Sequence, residues 1–204
     1  MIKNDKDAIY KQRKGVFQTI SPKIFKTYKK KRTCLNIGAW PKRYQIVREL
    51  KEAGWTVDLL EIWKEYCDFF VPKNLFAHIY NINVIDIDLL DTQQWDMVLW
   101  WHGPEHVEKV EFETVLPKLL DRAKQYLVLA APYNGEVDNP EEHAETITSK
   151  WANNHHQLHR WNCTEGDFKK FGMNTIITTP QLDWVSDKMQ QRLKSQITAW
   201  IEKY

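Results

Sequence analysis

Seven glycines in 204 residues are few, and that limits how many tight, ligand-hugging turns the chain can build. The sequence contains no Gly-x-x-x-x-Gly-Lys-Ser/Thr loop to cradle a phosphate and no Gly-x-Ser-x-Gly elbow to raise a nucleophilic serine. Its three cysteines, Cys34, Cys67 and Cys163, are widely spaced and form no Cys-x-x-Cys pair. That usage excludes a disulfide scaffold and fits reduced thiols. No apolar run approaches the roughly 18 residues that a membrane-spanning helix needs. The polar start, Met1-Ile2-Lys3-Asn4-Asp5-Lys6, lacks the apolar segment of a signal peptide. A cytoplasmic protein without a membrane partner is the expectation.

What is present begins with an uneven charge. The net charge is +2, yet residues 1–32 hold eleven Lys/Arg against two Asp, so the rest of the chain is acidic. The sequence therefore divides into a basic extension with a short helix, 1–32, and one α/β domain, 33–204. A basic arm ahead of an acidic domain can contact nucleic acid. No interleaved aromatic pattern supports that partner, and a solvated extension is the plainer reading. The ten tryptophans are expected mainly in the core and at its rim, where large rings supply much buried area.

Apolar runs alternate with helical stripes. Ser21-Pro22 resembles a helix start with Ile24, Phe25 and Tyr28 on one side. Cys34, Leu35 and Ile37 form a first strand. Pro41 opens a helix carrying Ile46, Val47, Leu50 and Ala53, which Gly54 ends. Val57, Leu59 and Leu60 make a second strand, and Ile82, Val84, Ile85 and Ile87 a third. Met97 to Trp101 is the fourth. Phe112, Val115, Leu116, Leu119, Leu120 and Ala123 mark a helix that starts just before Pro117 or kinks there. Tyr126 to Ala131 is a fifth strand. Thr164-Glu165-Gly166-Asp167 is a capping box, and Thr175-Ile176-Ile177 a sixth strand. Leu182, Val185, Met189, Leu193, Ile197 and Trp200 step by three or four, predicting a C-terminal amphipathic helix. The alternation predicts a three-layer, Rossmann-like α/β fold: a mainly parallel sheet of about six or seven strands with helices on both faces.

In such sheets ligands bind beyond the carboxyl ends of the strands, near the switch in strand order. That rule selects Gly38 to Trp40, Glu61, Asp86 to Asp88, His102 to His106 and Pro132 to Glu136. Gly38 lets backbone approach a ligand ahead of a helix N-terminus. Glu61, 23 residues later, can accept both hydroxyls of a ribose; an exposed strand-end acid is the alternative. His102, Glu105 and His106 are candidate bases by location, and equally plausible loop residues. On a continuous helix His155, His159 and Cys163 would share a face, with His156 beside them, and these side chains bind zinc. Trp161-Asn162-Cys163-Thr164 reads as a new helix start that breaks that face, so no metal is expected.

Over residues 33–180 the run Leu35-Asn36-Ile37-Gly38-Ala39-Trp40, the strand ends Leu59-Leu60-Glu61 and Val84-Ile85-Asp86-Ile87, and the block Trp95 to Val107 resemble the class I S-adenosylmethionine-dependent methyltransferases. Asn139 to His143 and Asp167 to Gly172 resemble that family's late segment. The resemblance implies S-adenosyl-L-methionine as cofactor. It implies Asn36, Gly38 and Trp40 around the methionine part of the donor, Glu61 at the ribose and Asp86 at the adenine. His102 would stand beside the sulfonium. Asn36 replaces the family's usual acid, Trp40 and Lys42 replace its later glycines, and its antiparallel seventh strand is not recognisable. The expected activity is methyl transfer to an unidentified acceptor, a small molecule by preference. A catalytically silent binding or scaffold protein, or a nucleic-acid methyltransferase steered by the basic arm, are the alternatives. Acceptor selection would fall to the arm, the aromatic stretch 63–80 (Trp63, Tyr66, Phe69, Phe70, Tyr80), itself equally readable as a helix packing on the sheet, and residues 133–163.

Overall fold

The structure, a computed structural model, describes residues 19–20, 24, 26, 31–41, 44–133, 137, 154–178 and 195–203. Strand β1, Arg32–Ile37, shows how the sheet divides the core. Leu35 and Ile37 enter one apolar cluster while Cys34 enters the other, because successive side chains of a strand point to opposite faces. The same division holds along β4, Trp95–Trp101, where Val98 and Trp100 oppose Met97 and Leu99. With both faces covered, apolar residues run continuously rather than alternating with polar ones.

The remaining strands are β2 (Trp55–Leu60), β3 (Ile79–Tyr80), β5 (Ala123–Pro132), β6 (Asn174–Thr178) and β7 (Gln196–Glu202). Seven strands form one sheet in the order β3-β2-β1-β4-β5-β7-β6. All pairs are parallel except those of β7, which runs antiparallel to both β5 and β6. Helix α1 (Gln45–Glu52) lays Val47 and Leu50 on one face, together with Ile20, Ile24 and Phe70 at the end of α2 (Lys64–Phe70). On the other face lie α3 (Lys109–Arg122), with Phe112, Val115, Leu116 and Leu119, and α4 (Glu165–Lys169), with Phe168. This is the expected three-layer arrangement. No helix among the described residues is long and apolar enough to cross a membrane.

Several boundaries move for physical reasons. The third strand is Ile79–Tyr80, paired to Leu59 and Leu60, and Val84–Leu90 is instead a 3-10 segment. The Asn83 side chain accepts the Ile85 N–H and caps that segment, and Val84 and Ile87 are buried at the spacing of its turns. The C-terminal helix is overturned over residues 196–202, which form β7; residues 182–194 lie outside the described set. Ile197, Thr198 and Ile201 are β-branched, and Ile197, Thr198 and Ala199 are all fully buried between two strands. An antiparallel seventh strand is therefore present.

Helix α1 begins at Gln45, not at Pro41, which sits in the preceding turn. Gly54, at φ +88°, follows its end as expected. Helix α3 starts well before Pro117 and continues through it, with a Glu108–Glu111 capping box. The Thr164–Asp167 capping box is also present. Most of the basic arm, and the helix expected after Ser21-Pro22, lie outside the described residues. Trp55 Nε1 donates to the Ile24 carbonyl at 2.7 Å, and the Arg32 guanidinium donates to the carbonyls of Ile24, Lys26 and Ala53.

Candidate functional site

Strand order reverses between β1 and β4, which are neighbours although β2 and β3 intervene in sequence. Chains leaving the two strands diverge there and open a crevice. A cavity of about 950 Å³ occupies it, bordered by the ends of β1, β2 and β4, the Asn83–Ile85 turn and the His156–Arg160 segment.

The floor is the turn after β1. Gly38 has φ +71°, a left-handed conformation that favours glycine. Its N–H donates to the Leu60 carbonyl at 2.8 Å, and its carbonyl accepts from Asn36 Nδ2 at 2.8 Å. Asn36 is thereby buried and paired, bracing the turn from below. Trp40 stands at the rim, 36% exposed.

Glu61 follows β2 and is only 6% exposed. Its Oε2 accepts the Ala39 N–H at 3.0 Å and its Oε1 accepts the Trp63 N–H at 2.7 Å. Burial pushes its carboxyl up to about 7, against the opposing pull of those N–H groups. Each oxygen retains a second lone pair for a ligand hydroxyl.

The wall beyond β4 is built from a strained loop. His102 adopts φ +52°, a left-handed backbone unusual for a non-glycine residue. Gly103 must be glycine for a different reason: a Cβ there would lie 1.9 Å from Trp100 Nε1. Trp161 Nε1 donates to the Pro104 carbonyl and the Arg160 N–H to the Glu105 carbonyl, tying the 154–161 segment onto this loop. His102 Nε2 lies 3.1 Å from Gln196 Oε1, contributed by β7, and His102 Nδ1 lies 3.4 Å from Glu105 Oε1. Glu105 is 2% exposed. Burial raises its carboxyl, but the imidazoles of His102 and His106 outweigh that and hold it below the usual range. Burial lowers His106 by more than Glu105 raises it.

The cavity thus gathers Asn36, Gly38, Trp40, Glu61, His102, Glu105 and His106. It does not gather Asp86, which is exposed and outside the lining. Without a strand at Ile82–Ile87, Asp86 is not at a strand end, and Asn83, Val84 and Ile85 take the place expected for it. Asp88 is turned outward, bonded to Lys118 at 2.5 Å. The aromatic stretch contributes Tyr66 to the lining, while Phe70 packs edge-on against Tyr44, Phe69 and Phe76 in the core. His155 and Cys163 do not share a helical face with His159: residues 155–157 form a 3-10 turn and Cys163 is buried beside Tyr133. His156, His159 and Arg160 line the cavity; the sequence pattern offers the two histidines only as zinc ligands beside His155 and Cys163, and Arg160 not at all. Their only sequence signal is the density of histidine at 155–159.

No family model matches the sequence, and a search of curated proteins finds no match in sequence. The fold does have solved counterparts. A SAM-dependent methyltransferase from Archaeoglobus fulgidus superposes with a TM-score of 0.59 at 15% identity, covering 95% of this chain and 94% of that one. The N-methyltransferase NodS from Bradyrhizobium japonicum WM9 gives 0.62 at 8% identity, covering 100% and 99%. The plantazolicin methyltransferase BpumL, solved with a desmethylPZN analog and SAH, gives 0.61 at 11% identity over 98% and 86%. The similarity runs nearly the full length of this chain in each case. The chain has the Rossmann-like fold of the class I S-adenosylmethionine-dependent methyltransferases.

Proposed function

We propose that this protein is a methyltransferase that uses S-adenosyl-L-methionine on a small-molecule acceptor. The observation that carries the reading is Glu61: a buried carboxylate at the end of β2, facing a large cavity, with lone pairs left to accept two ribose hydroxyls. In this arrangement the Gly38 turn would hold the methionine part, and Val84 and Ile85 the adenine. Trp40 covers the donor at the rim.

Methyl transfer from a sulfonium requires mainly positioning and exclusion of water. When bound, S-adenosyl-L-methionine would supply an electrophilic methyl group for an acceptor lone pair aligned with the carbon–sulfur bond, the thioether leaving with the bonding electrons. His102 can donate Nδ1–H to Glu105, and with Nε2 turned from Gln196 to the acceptor it takes the acceptor's proton on Nε2, where the buried carboxylate stabilises the resulting imidazolium. His106 Nε2 flanks Glu105 on its other side, at 3.7 Å. Calorimetric titration with S-adenosylmethionine and S-adenosylhomocysteine tests the reading. Saturable binding that weakens on Glu61→Ala is expected; no binding up to millimolar donor would sink it.

A further inference from the structure

Three side chains at the cavity wall converge in a way that proton transfer does not require. Glu105, His106 and His159 each bring one ligand-type atom to within 4.8 Å of the others. We propose that they form a binding site for a divalent first-row transition metal, such as Zn²⁺, Fe²⁺ or Co²⁺, with its open positions directed into the cavity.

Two further observations support an ion there. Glu105 is 2% exposed, and neither carboxylate oxygen accepts a hydrogen bond of good geometry. Its neighbours on the cavity side are imidazoles, with His106 Nε2 at 3.7 Å and His102 Nδ1 at 3.4 Å. A buried, ionised carboxylate whose oxygens make no well-aligned hydrogen bond keeps both oxygens available to a cation.

The second observation is the orientation of His106. Its Nδ1 lies 3.2 Å from the Leu158 carbonyl. A carbonyl oxygen only accepts, so Nδ1 carries the proton and Nε2 presents its lone pair toward Glu105. A backbone carbonyl fixing the far nitrogen is the usual support of a metal-ligating histidine. That carbonyl belongs to the residue just before His159, so one short segment both orients the second ligand and supplies the third.

Two imidazoles and one carboxylate suit a transition metal rather than Mg²⁺ or Ca²⁺, which prefer oxygen alone. A tetrahedral ion with bonds of about 2.1 Å separates its ligands by roughly 3.4 Å. Closing the present spacing takes side-chain adjustments of about an ångström, and His159 and His106 rings already lie 5.2 Å apart. The site stands without the methyltransfer reading.

Equilibrium dialysis of the full chain against Co²⁺ and Zn²⁺, with the Co²⁺ visible spectrum as readout, tests the site. A single ion per chain is expected, with a d–d band that Zn²⁺ abolishes and excess Mg²⁺ leaves unchanged. His159→Ala, at a half-buried position, and the near-isosteric Glu105→Gln should each weaken binding at least about 100-fold, beyond the range seen for losing only a supporting contact. Far-ultraviolet circular dichroism checks that both fold. His78→Ala, an exposed histidine outside the cavity, should bind as the wild type does. No bound ion, binding indifferent to both site variants, displacement by Mg²⁺, or loss in His78→Ala would each overturn the assignment. Donor titration in metal-free buffer reports separately on methyl transfer, so one idea can fail while the other stands.

Discussion

Glu61 should make both stability and donor binding depend on pH. Its carboxyl titrates near 7 in the folded protein because burial disfavours the charge, whereas in the unfolded chain it titrates near 4.5. Between those values the folded state holds more protons than the unfolded state, so stability falls as pH rises through that window. Below about 4.5 none is lost, and above about 7 the whole penalty applies, about 3 kcal/mol for a shift of this size. Glu61→Gln removes the charge at every pH. It also turns one of the two backbone N–H groups, Ala39 or Trp63, toward an amide NH₂, at a pH-independent cost of roughly 1–3 kcal/mol. The stability of the variant relative to wild type should therefore rise by about 3 kcal/mol from pH 4.5 to 7 and then level off, as measured by urea denaturation. Subtracting the two curves cancels other titrating groups. A flat difference would refute the reasoning. Binding gives a second check: ribose hydroxyls donate to the ionised form, so near pH 6 binding must expel a proton. Donor affinity there should be about tenfold weaker than well above pH 7, and the calorimetric enthalpy should vary with the ionisation enthalpy of the buffer.

Gly103→Ala should drive its methyl into the Trp100 indole, costing about 1–3 kcal/mol as overpacking and displacing the Glu105 loop; thermal melting and donor titration read both effects. Trp95→Phe should cost about 1–3 kcal/mol, because Trp95 Nε1 donates to buried Asp58 Oδ2 at 2.7 Å; a neutral result in urea denaturation would show the bond to be dispensable. Burial pushes the Cys67 thiol to about 12 and those of Cys34 and Cys163 higher still. All three should resist alkylation at pH 8 until the chain unfolds, as mass spectrometry can follow. Trp40→Gly should change donor affinity with little effect on melting temperature, since the ring stands at the cavity rim.

Elements whose side chains meet the core by local rule were legible in the sequence. β4 and β5 hold continuous apolar runs and β1 and β2 shorter ones, and Gly54 and the Thr164–Asp167 box carry their own punctuation. β3 was misplaced because its two residues pair only with the end of β2, while the stronger β-branched run just after it is held as 3-10 turns by the Asn83 cap. β7 was hidden because Ile197 and Trp200 fit a helical step as well as a strand. What decides between them is long-range, the slot between β5 and β6, and tertiary pairing of that kind overrides local pattern. The site followed the same rule. Residues at true strand ends, such as Gly38, Glu61 and His102, reached the cavity, and Asp86 missed it with the strand that was to carry it. His159 was invisible as a partner of Glu105 and His106 because more than fifty residues separate them, and long-range bonds such as Trp161 to Pro104, Arg160 to Glu105 and His106 to Leu158 bring the segments together.

The scarcity of glycine in the turn after β1 has a structural answer in Glu61. A glycine-rich turn can hold its shape while presenting bare backbone to a ligand. Here the turn has one glycine, and its neighbours are fixed from beneath: the Gly38 N–H bonds to Leu60, the Ala39 N–H to the Glu61 carboxylate, and the Gly38 carbonyl to Asn36. The carboxylate proposed to bind the ribose therefore also shapes the turn proposed to hold the methionine part. Asn36, at the position of the family's acid, serves the turn by donating, which an ionised carboxylate cannot do. A second negative charge close to buried Glu61 would raise an already unfavourable electrostatic cost. An amide at 36 is accordingly the residue that keeps this compact turn compatible with a single buried acid. Asn36→Asp should thus push the Glu61 titration still higher and loosen the turn, even though it restores the family's more usual residue.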